Sequence, residues 1–561
     1  MMTRIERRVW VEKVVNKAVN NEPNCIAKRV RLRLWPVAAC ISLALSSIAS
    51  AELNELNNQH TEHQTITHKV KEIPSSQFQW GSPHIPDSSV YNLQNVREKI
   101  PQKKTAVISI QRLVRKGPLK DFVRNTRLLE WAKRQLSSPK VIEIESGLAT
   151  LEQIANAVDK QYFEKLPNGV YITRLPIVVG HGATLLIDGS PSSIGHSESG
   201  KPNPSPEKEL RLSQERGAFL INDGLFFAIN TRLIGWSEQA NTNAYYKEHS
   251  EFRPFYVSWG GSETYFAHST VESFGYFQSK SYGITFSQYK EHDHMSRKPP
   301  KGWIIGSEFF DTYYGFYCYE AEDVALVGNT YRDNILYGID PHDRSSRLLI
   351  ANNHVYGTRK KHGIIISREV NDSWIVNNHT HNNHLSGIVL DRDSQRNVVA
   401  NNTIYSNGGD GITLYESANN HIVNNMIADN TRQGIRVRNS GNTRINNNAI
   451  IRSGGYGIFA QVKDLSETDR DLSLDAYHTT TEIWASQDSL SGNQRGPIFI
   501  GPKATARLFD PRFVTHEQSK SFSLKGELAQ YQHQILDIIY RKKAAVAIEP
   551  INTPSAGNTG S

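Results

Sequence analysis

Gly387-Ile388-Val389-Leu390-Asp391 and Gly411-Ile412-Thr413-Leu414-Tyr415 are two copies of one pattern, in which a glycine opens a short alternating run. The glycine and the apolar residue after it recur along the chain. From Gly315 onward, successive glycines are 23, 25, 24, 24, 23 and 23 residues apart. A second series keeps the same period and consists of asparagines: Asn329, Asn353, Asn378, Asn402, Asn425 and Asn448. A repeat of this length marks a solenoid or a propeller.

The alternation inside each unit indicates short strands with one buried face. Several such strands in about 24 residues predict a right-handed parallel β-helix, because each coil then pairs with the next at the usual strand spacing. The asparagines are expected at turns, where Asn tolerates the left-handed conformation and stacked amides hydrogen-bond from coil to coil. A leucine-rich repeat is excluded, since its leucine–asparagine consensus is missing. The predicted class is all-β, with short helical caps at both ends.

The chain begins with a segment typical of secretion. Residues 28–33 are basic, residues 35–48 are apolar but too few to span a membrane comfortably, and Ala49-Ser50-Ala51 is a small-residue cleavage site. We interpret residues 1–51 as a signal peptide cleaved after Ala51, which predicts a periplasmic protein without stable membrane insertion. An uncleaved anchor is the alternative.

Four regions follow from these patterns. They are the signal peptide (1–51), an N-terminal extended segment and helical cap (52–165), the β-helix with its groove (166–462), and a C-terminal cap with an amphipathic helix and a disordered tail (463–561). Helices are predicted over 126–136, from Thr150 to about Val158 behind a capping box with Gln153, and over 527–543. Helical caps cover the apolar ends of a solenoid.

Charge and cysteine content exclude two classes of protein. The net charge is +8, but residues 1–51 hold nine basic and three acidic residues, so the remainder is close to neutral and gives no sign of nucleic-acid binding. Cys25 and Cys40 lie in the signal peptide. Cys318, the third residue after Gly315, is expected to face the core, so no disulfide framework is predicted.

The register also predicts an outward-facing surface. If the residue after each glycine points inward, the second and fourth residues point outward. Tyr rings there suit sugar faces and Arg suits carboxylates, which favours a long acidic polysaccharide, although solvent-facing strand positions are polar in any case. The expected substrate-binding residues are Tyr317, Tyr319, Ser367, Asp391, Arg392, Tyr415, Arg436 and Arg438.

One coil is chemically different from the others. Asp340 and His342 are two apart and share a face, Pro341 between them has no N–H for the strand ladder, and Asp343 follows at the turn. A His beside carboxylates suits a general base. Arg368, one coil later, is placed to neutralise a carboxylate. A base and a carboxylate-neutralising Arg are what removal of a proton α to a carboxylate requires.

Other residue sets carry competing hypotheses. Asp391 and Asp393, with Asp340 and Asp343, are candidates for the paired carboxylates of a glycosidase. An Asp, His and Arg set fits proton abstraction better. A metal cluster is a further hypothesis for four histidines: His354, His379, His381 and His384. His354 and His379 each follow a ladder asparagine and are better interpreted as turn residues. We expect no metal and no cofactor.

Asp340-Pro341-His342-Asp343 within a β-helix coil, with Arg368 one coil on, resembles the periplasmic mannuronan C5-epimerases of alginate biosynthesis. The resemblance covers the signal peptide, the caps and all repeats. It implies conversion of β-D-mannuronate to α-L-guluronate within the polymer, with His342 as base, Arg368 as neutraliser and Asp340 tuning the site. Asp343 and Tyr314 are expected to support catalysis. Water or Tyr314 supplies the acid; the motif does not decide between them.

The resemblance also implies partners: the alginate polymer and other periplasmic components of an alginate export complex. It implies an isomerase that does not depend on calcium, and the chain lacks Asp/Gly nonapeptide repeats. Reasoning from the residues alone leaves two alternatives open. One is a polyuronate lyase with the same base and neutraliser, and the other is a non-catalytic scaffold that guides the polymer.

Overall fold

A computed structural model describes residues 68–113, 132–135, 138–190, 208–288, 298–468, 477–514, 524–526 and 528–551. These residues build a parallel β-helix with three long sheets, and each coil contributes one strand to each sheet. Along the chain, every coil visits sheet 1, then sheet 2, then sheet 3. Within the described ranges, no helix is both long and apolar enough to cross a membrane.

The strands of the three sheets are as follows. Sheet 1 contains Val107–Arg112, Lys140–Ser146, Ile177–Val179, Leu220–Asn222, Tyr256–Trp259, Gly283–Ser287, Tyr314–Tyr319, Tyr337–His342, Ile364–Ser367, Ile388–Asp391, Ile412–Tyr415, Ile435–Arg438, Tyr456–Gln461, Gly496–Ile500 and Lys525–Gly526. Sheet 2 contains His68–Ile73, Leu148–Thr150, Thr184–Asp188, Leu225–Ile229, Glu263–Ala267, Lys301–Ile305, Val324–Val327, Leu349–Ala351, Trp374–Val376, Val398–Ala400, His421–Val423, Thr443–Asn446, Thr481–Ser486, Ala504–Phe509 and Ala545–Pro550. Sheet 3 contains Phe163–Lys165, Val170–Thr173, Lys208–Ser213, Thr231–Ser237, Thr242–Asn243, Thr270–Glu272, Glu308–Phe310, Thr330–Arg332, His354–Tyr356, His379–His381, Thr403–Tyr405, Met426–Ala428, Ala449–Ile451, Ser489–Ser491 and Arg512–Val514.

The apolar residue after each repeat glycine lies in the core, as the register predicts. The residues of this row are fully buried: Ile284, Phe316, Ile339, Ile364, Ile388, Ile412, Ile435 and Ile458. Their Cα atoms pair from coil to coil, as between Ile364 and Ile388. Burial of one large aliphatic side chain contributes about 1.5–3 kcal/mol, so this row is a main source of stability.

The asparagine ladder is present between sheets 2 and 3. Each side-chain Nδ2 donates to the Oδ1 of the next ladder residue, for example from Asn378 to Asn402 at 3.0 Å, and each Oδ1 also accepts the preceding backbone N–H. One detail differs from the expectation. The left-handed conformation is taken by the residue before each ladder asparagine, as at Asn377 and Asn401, both with φ 57°. The ladder side chains are therefore free to turn inward and pair.

Helical segments cap both ends. Leu151–Ala157 begins at the capping box of Thr150 and Gln153, and its Leu151 and Ile154 are buried in the main core, which confirms that prediction. At the other end the predicted helix is interrupted: a 3₁₀ turn (Ala529–Tyr531), an α-helix (Gln532–Leu536) and a π-helical turn (Asp537–Arg541) succeed one another. Two further helices are Ser75–Phe78, which is 3₁₀, and Leu93–Glu98.

The segment after His68 runs along the outer face of sheet 2. Strand His68–Ile73 pairs antiparallel with Ala545–Pro550. Farther along, the carbonyl of His84 accepts the indole N–H of Trp374, and Tyr91 packs edge-on against Trp303. Most of this segment is extended or irregular, and it covers the apolar outer face of sheet 2.

Coil-to-coil pairing extends beyond the expected limits of 166 and 462. Parallel pairing starts at Lys140–Ser146 and continues to Lys525–Gly526. The expected signal peptide (1–51), most of the expected 126–136 helix and the tail after residue 551 lie outside the described residues.

Candidate active site

The outer face of sheet 1 carries four parallel rows of side chains. The pre-glycine row is Tyr282, Tyr314, Tyr337, His362, Ser386, Asp410, Gln433 and Tyr456. The second row is Thr285, Tyr317, Asp340, Ile365, Val389, Thr413, Arg436 and Phe459. The fourth row is Ser287, Tyr319, His342, Ser367, Asp391, Tyr415, Arg438 and Gln461. The turn row after the strands includes Glu320, Asp343, Arg368, Arg392 and Glu416.

His342 and Asp343 form a hydrogen-bonded pair at the end of Tyr337–His342. The Nδ1 atom of His342 bonds to Oδ2 of Asp343. Burial opposes a charge on the imidazole, but the hydrogen bond to Asp343 and the charges of Asp340 and Asp343 outweigh it, so the pKa of His342 is raised. The pair fixes the ring orientation and leaves Nε2 as the basic atom. The His342 side chain is 25% exposed and can therefore meet a ligand.

Asp340 lies beside this pair and is almost fully buried. Burial, with the nearby charges of Asp343 and Asp391, raises the pKa of Asp340 to about 7, although the positive charge of His342 acts in the other direction. At neutral pH the carboxyl of Asp340 therefore changes its protonation state readily. Pro341 faces inward opposite Cys318, and the regular pairing of Tyr337–His342 with Ile364–Ser367 is recorded only at Ile339 and His342.

Arg368 lies one coil farther on, in the turn row directly after Asp343. Its Nη1 atom is 3.7 Å from Oδ1 of Asp343, and 43% of its side chain is exposed. Its backbone is left-handed, with φ 63°, which carries the side chain away from the strand. This long ion pair and the exposure leave the guanidinium able to meet a ligand carboxylate. Burial would raise the pKa of Asp343, but the bond to His342 and the charge of Arg368 hold it low.

The second row is less exposed than the alternation predicts. Six of its members are nearly or fully buried: Thr285, Tyr317, Asp340, Ile365, Val389 and Thr413. The loops that precede the glycines fold over this row, as where Thr413 donates to Asp410 at 2.9 Å. The exposed surface predicted for this row, including Tyr317, is therefore wrong. A pattern of alternation says which face a side chain takes, but not what covers it.

The chain is similar to proteins of known fold and activity. Residues 314–464 match the family described as "Right handed beta helix region". The mannuronan C5-epimerase of Pseudomonas putida is 44% identical over 523 residues, covering 93% of this chain and 97% of the relative, and mannuronan C5-epimerase AlgG of Azotobacter vinelandii is 45% identical over 534 residues, covering 94% and 98%. The crystal structure of the periplasmic alginate epimerase AlgG is 44% identical with a TM-score of 0.73, covering 78% of this chain and all of that one.

The chain belongs to the mannuronan C5-epimerase family. The predicted right-handed parallel β-helix and the isomerase class are thereby confirmed. The expected periplasmic location agrees with the description of the solved relative.

The fourth row of this epimerase is only partly available to a ligand. Ser367 is buried and donates to Oδ2 of Asp391 at 3.1 Å, while burial raises the pKa of Asp391. Arg392 Nε lies 3.5 Å from the same carboxylate. Tyr319 is half-buried, with Lys280 over its ring at 3.7 Å. Ser367, Asp391 and Arg392 are thus brought together with His342, whereas Ser367 presents little surface of its own.

The two arginines predicted to bind carboxylates already have acidic partners. Arg436 contacts Asp410 through Nε at 2.7 Å and Nη2 at 3.2 Å. Arg438 donates to Glu416 at 2.8 Å and stacks over the Tyr415 ring at 3.9 Å. The carboxylates that neutralise them, Asp410 and Glu416, lie on neighbouring coils. The spacing of the sequence did not predict these pairs.

Apart from Tyr314, the residues of the pre-glycine row were not predicted from the sequence as part of the site. Tyr337 opens the same strand as Asp340 and His342, and its ring meets Tyr314 edge-on at 5.2 Å between centroids. Burial and the nearby charge of Asp340 raise the pKa of both phenols, which keeps them protonated. The missed signal is simple: an aromatic residue precedes each of four successive repeat glycines, Gly283, Gly315, Gly338 and Gly363.

The histidines discussed above as a metal cluster lie on sheet 3, away from these rows. His354 and His379 stand on strands rather than in turns, so their interpretation as turn residues is wrong, and His381 ends the strand that His379 begins. Nε2 of His354 is 2.6 Å from Nε2 of His381, and His381 stacks between Tyr356 and Tyr405. Among the described residues, no three metal-binding side chains are arranged around a common point.

Proposed function

We propose that this protein epimerises β-D-mannuronate to α-L-guluronate within the alginate polymer, at C5, during alginate biosynthesis. The observation that carries the proposal is the His342–Asp343 pair with the half-exposed Arg368 one coil away. It combines a base of fixed orientation with a cation for the substrate carboxylate. Family membership supports the same reaction.

In the first step, neutral His342 takes the C5 proton through Nε2. The electron pair of the broken C–H bond moves into the carboxylate, and the extra negative charge is spread over its two oxygens. Arg368 stabilises that charge, which is the largest contribution a preorganised group can make in such a step. Asp343 holds the ring and stabilises the imidazolium that forms.

In the second step, a proton returns to C5 from the opposite face of the sugar. His342 borders sheet 1 at the turn, whereas Tyr337 and Tyr314 border it at the pre-glycine side, with Asp340 between them. A sugar ring lying over Asp340 has the base on one side and a protonated phenol on the other. Tyr337 or Tyr314 fits this donor role, and water is the alternative.

The test is proton NMR of polymannuronate incubated with the mature chain in deuterated water, beside the variant His342→Asn. Guluronate signals with deuterium at C5, absent in the variant, are the expected result. Unsaturated chain ends absorbing in the near ultraviolet would instead assign a lyase. A protein that binds the polymer but changes nothing would be a scaffold.

We also expect contact with other periplasmic components of an alginate export complex, because a polymer-level enzyme must reach its substrate before secretion. Co-purification from cells that make alginate tests this; a protein that always elutes alone, with full activity, contradicts it.

A further inference from the structure

Four successive coils place an aromatic ring in the pre-glycine row, and these rings touch one another. We call Tyr282, Tyr314, Tyr337 and His362 the aromatic row. Tyr282 stacks on Tyr314 with 4.7 Å between centroids, Tyr314 meets Tyr337 at 5.2 Å, and Tyr337 stacks on His362 at 6.1 Å. The row therefore passes directly through the strand that carries His342.

The row continues outward on its N-terminal side. Tyr313 stacks on Tyr314 at 5.3 Å, and Phe277 packs against Tyr313 at 6.4 Å. Tyr313 is buried, but Phe277 is 58% exposed and Tyr245 in the neighbouring loop is 48% exposed. Within the described residues seven large apolar side chains are more than a third exposed, and these two stand at the same edge of sheet 1.

Cationic side chains border the same edge. Lys360 donates to the Tyr246 hydroxyl at 3.1 Å, and Tyr246 packs against Tyr313. Arg359, 41% exposed, pairs with Asp311 at 2.9 Å. A polyuronate presents an apolar pyranose face and one carboxylate per residue, so exposed rings beside the Lys360 ammonium match it in both respects.

We propose that Tyr337, Tyr314 and Tyr282 of the aromatic row, together with Phe277, form a binding track for the polyuronate that runs from the His342 coil toward the N-terminal side. Coils are spaced by ~4.8 Å, about the length of one hexuronate residue in an extended chain, so the coils of Tyr337, Tyr314 and Tyr282 take about three residues. The proposal rests on the proposed function. Beyond that function, it states that the polymer is bound on the N-terminal side of the His342 coil, through aromatic rings and a cationic side chain.

Phe277 is the residue to test, because its exposure means that truncation removes little packing. Phe277→Ala is expected to raise KM for long polymannuronate about two- to tenfold, the range of one aromatic contact, with kcat nearly unchanged. The penalty should shrink for mannuronate oligomers too short to reach from the His342 coil to Phe277. Tyr540→Ala is the matched control, since Tyr540 is 50% exposed and lies on the C-terminal cap.

Direct binding separates this proposal from the proposed function. Polymannuronate affinity is measured by calorimetry for His342→Asn alone and combined with Phe277→Ala or Tyr540→Ala. The track is supported if polymannuronate binding weakens when His342→Asn is combined with Phe277→Ala but not when it is combined with Tyr540→Ala. This result holds even if the wild type yields no guluronate. Equal binding for both combinations, or a KM penalty independent of oligomer length, overturns the track while leaving epimerisation untouched.

Discussion

The outer face of sheet 1 differs on the two sides of the His342 coil. On the N-terminal side it is aromatic, with Tyr282 stacked on Tyr314. On the C-terminal side it is charged, and the charges are paired within the protein, as in Arg436 with Asp410 and Arg438 with Glu416. The reactive residues stand at the junction. Rings keep their surface for a ligand, whereas an arginine that is already neutralised has much less to offer one.

Both sides rest on the same foundation. The buried row after each glycine and the asparagine ladder continue beneath the aromatic and the charged coils alike. Inward rows therefore fix the coil, and outward rows can change without altering it. This separation is why a repeat protein can carry a single chemical site in one coil among many.

The largest effect is expected at the junction itself. His342→Asn keeps a polar side chain of similar size but removes the base, so kcat should fall about 10²- to 10⁴-fold. His379→Asn is the control, because His379 is an exposed histidine on sheet 3. The measurement is guluronate formation by NMR. If the His342→Asn variant kept activity within tenfold of wild type, His342 would not be the catalytic base.

Substitutions at Arg368 and at Arg438 test the difference between the junction and the charged side. Arg368→Gln should lower kcat/KM about 10²- to 10³-fold, because the half-exposed guanidinium of Arg368 is assigned to the substrate carboxylate. Arg438→Gln should change kcat/KM less than about threefold, since the Arg438 guanidinium donates to Glu416 rather than to the substrate. Activity is normalised to folded protein, because Glu416 is buried and loses its partner. Equal losses in both variants would contradict the distinction between the two sides.

Much of this organisation could be predicted from the sequence, and the limits have physical causes. The period of Gly and Asn fixes the coils, and Asp340, His342 and Arg368 follow from the register. The cover over Thr413 and the pairing of Arg436 with Asp410 depend on how loops fold back between coils, which alternation does not encode. The aromatic row was visible in the sequence, immediately before four successive repeat glycines, but its meaning depends on the ring contacts.

Asp343→Asn tests how the junction is tuned. Because the bond to Asp343 helps raise the pKa of His342, the variant should lower that pKa and move the acidic limb of the kcat profile to lower pH. The sign follows because the base works only in its neutral form, above its pKa. Loss of orientation should cost about tenfold in kcat. Asp372→Asn, in an exposed pair with Arg396, is the control, and an unmoved limb would contradict the assignment.

The smallest effect is expected in the shared foundation, at the end of the asparagine ladder. Asp488 occupies the ladder position after Asn448, whose N–H and Nδ2 donate to its Oδ1 at 2.8 and 2.9 Å. Its Oδ2 is buried without a hydrogen-bond partner. Burial raises the pKa of Asp488 to about 7, above its ordinary value of 3.8. The folded protein therefore holds this proton more tightly than the unfolded chain, and stability is lost as pH rises from about 4 through about 7.

Asp488→Asn replaces the carboxylate with the amide that the rest of the ladder uses. It should raise the free energy of unfolding by about 1–3 kcal/mol at pH 8 and by less at pH 5, where Asp488 is already protonated. Urea unfolding at both pH values measures this. Asp429→Asn, in an exposed pair with Arg452, is the control. A gain that is equal at both pH values would mean that Asp488 has the same protonation state at pH 5 and at pH 8, which would contradict its raised pKa.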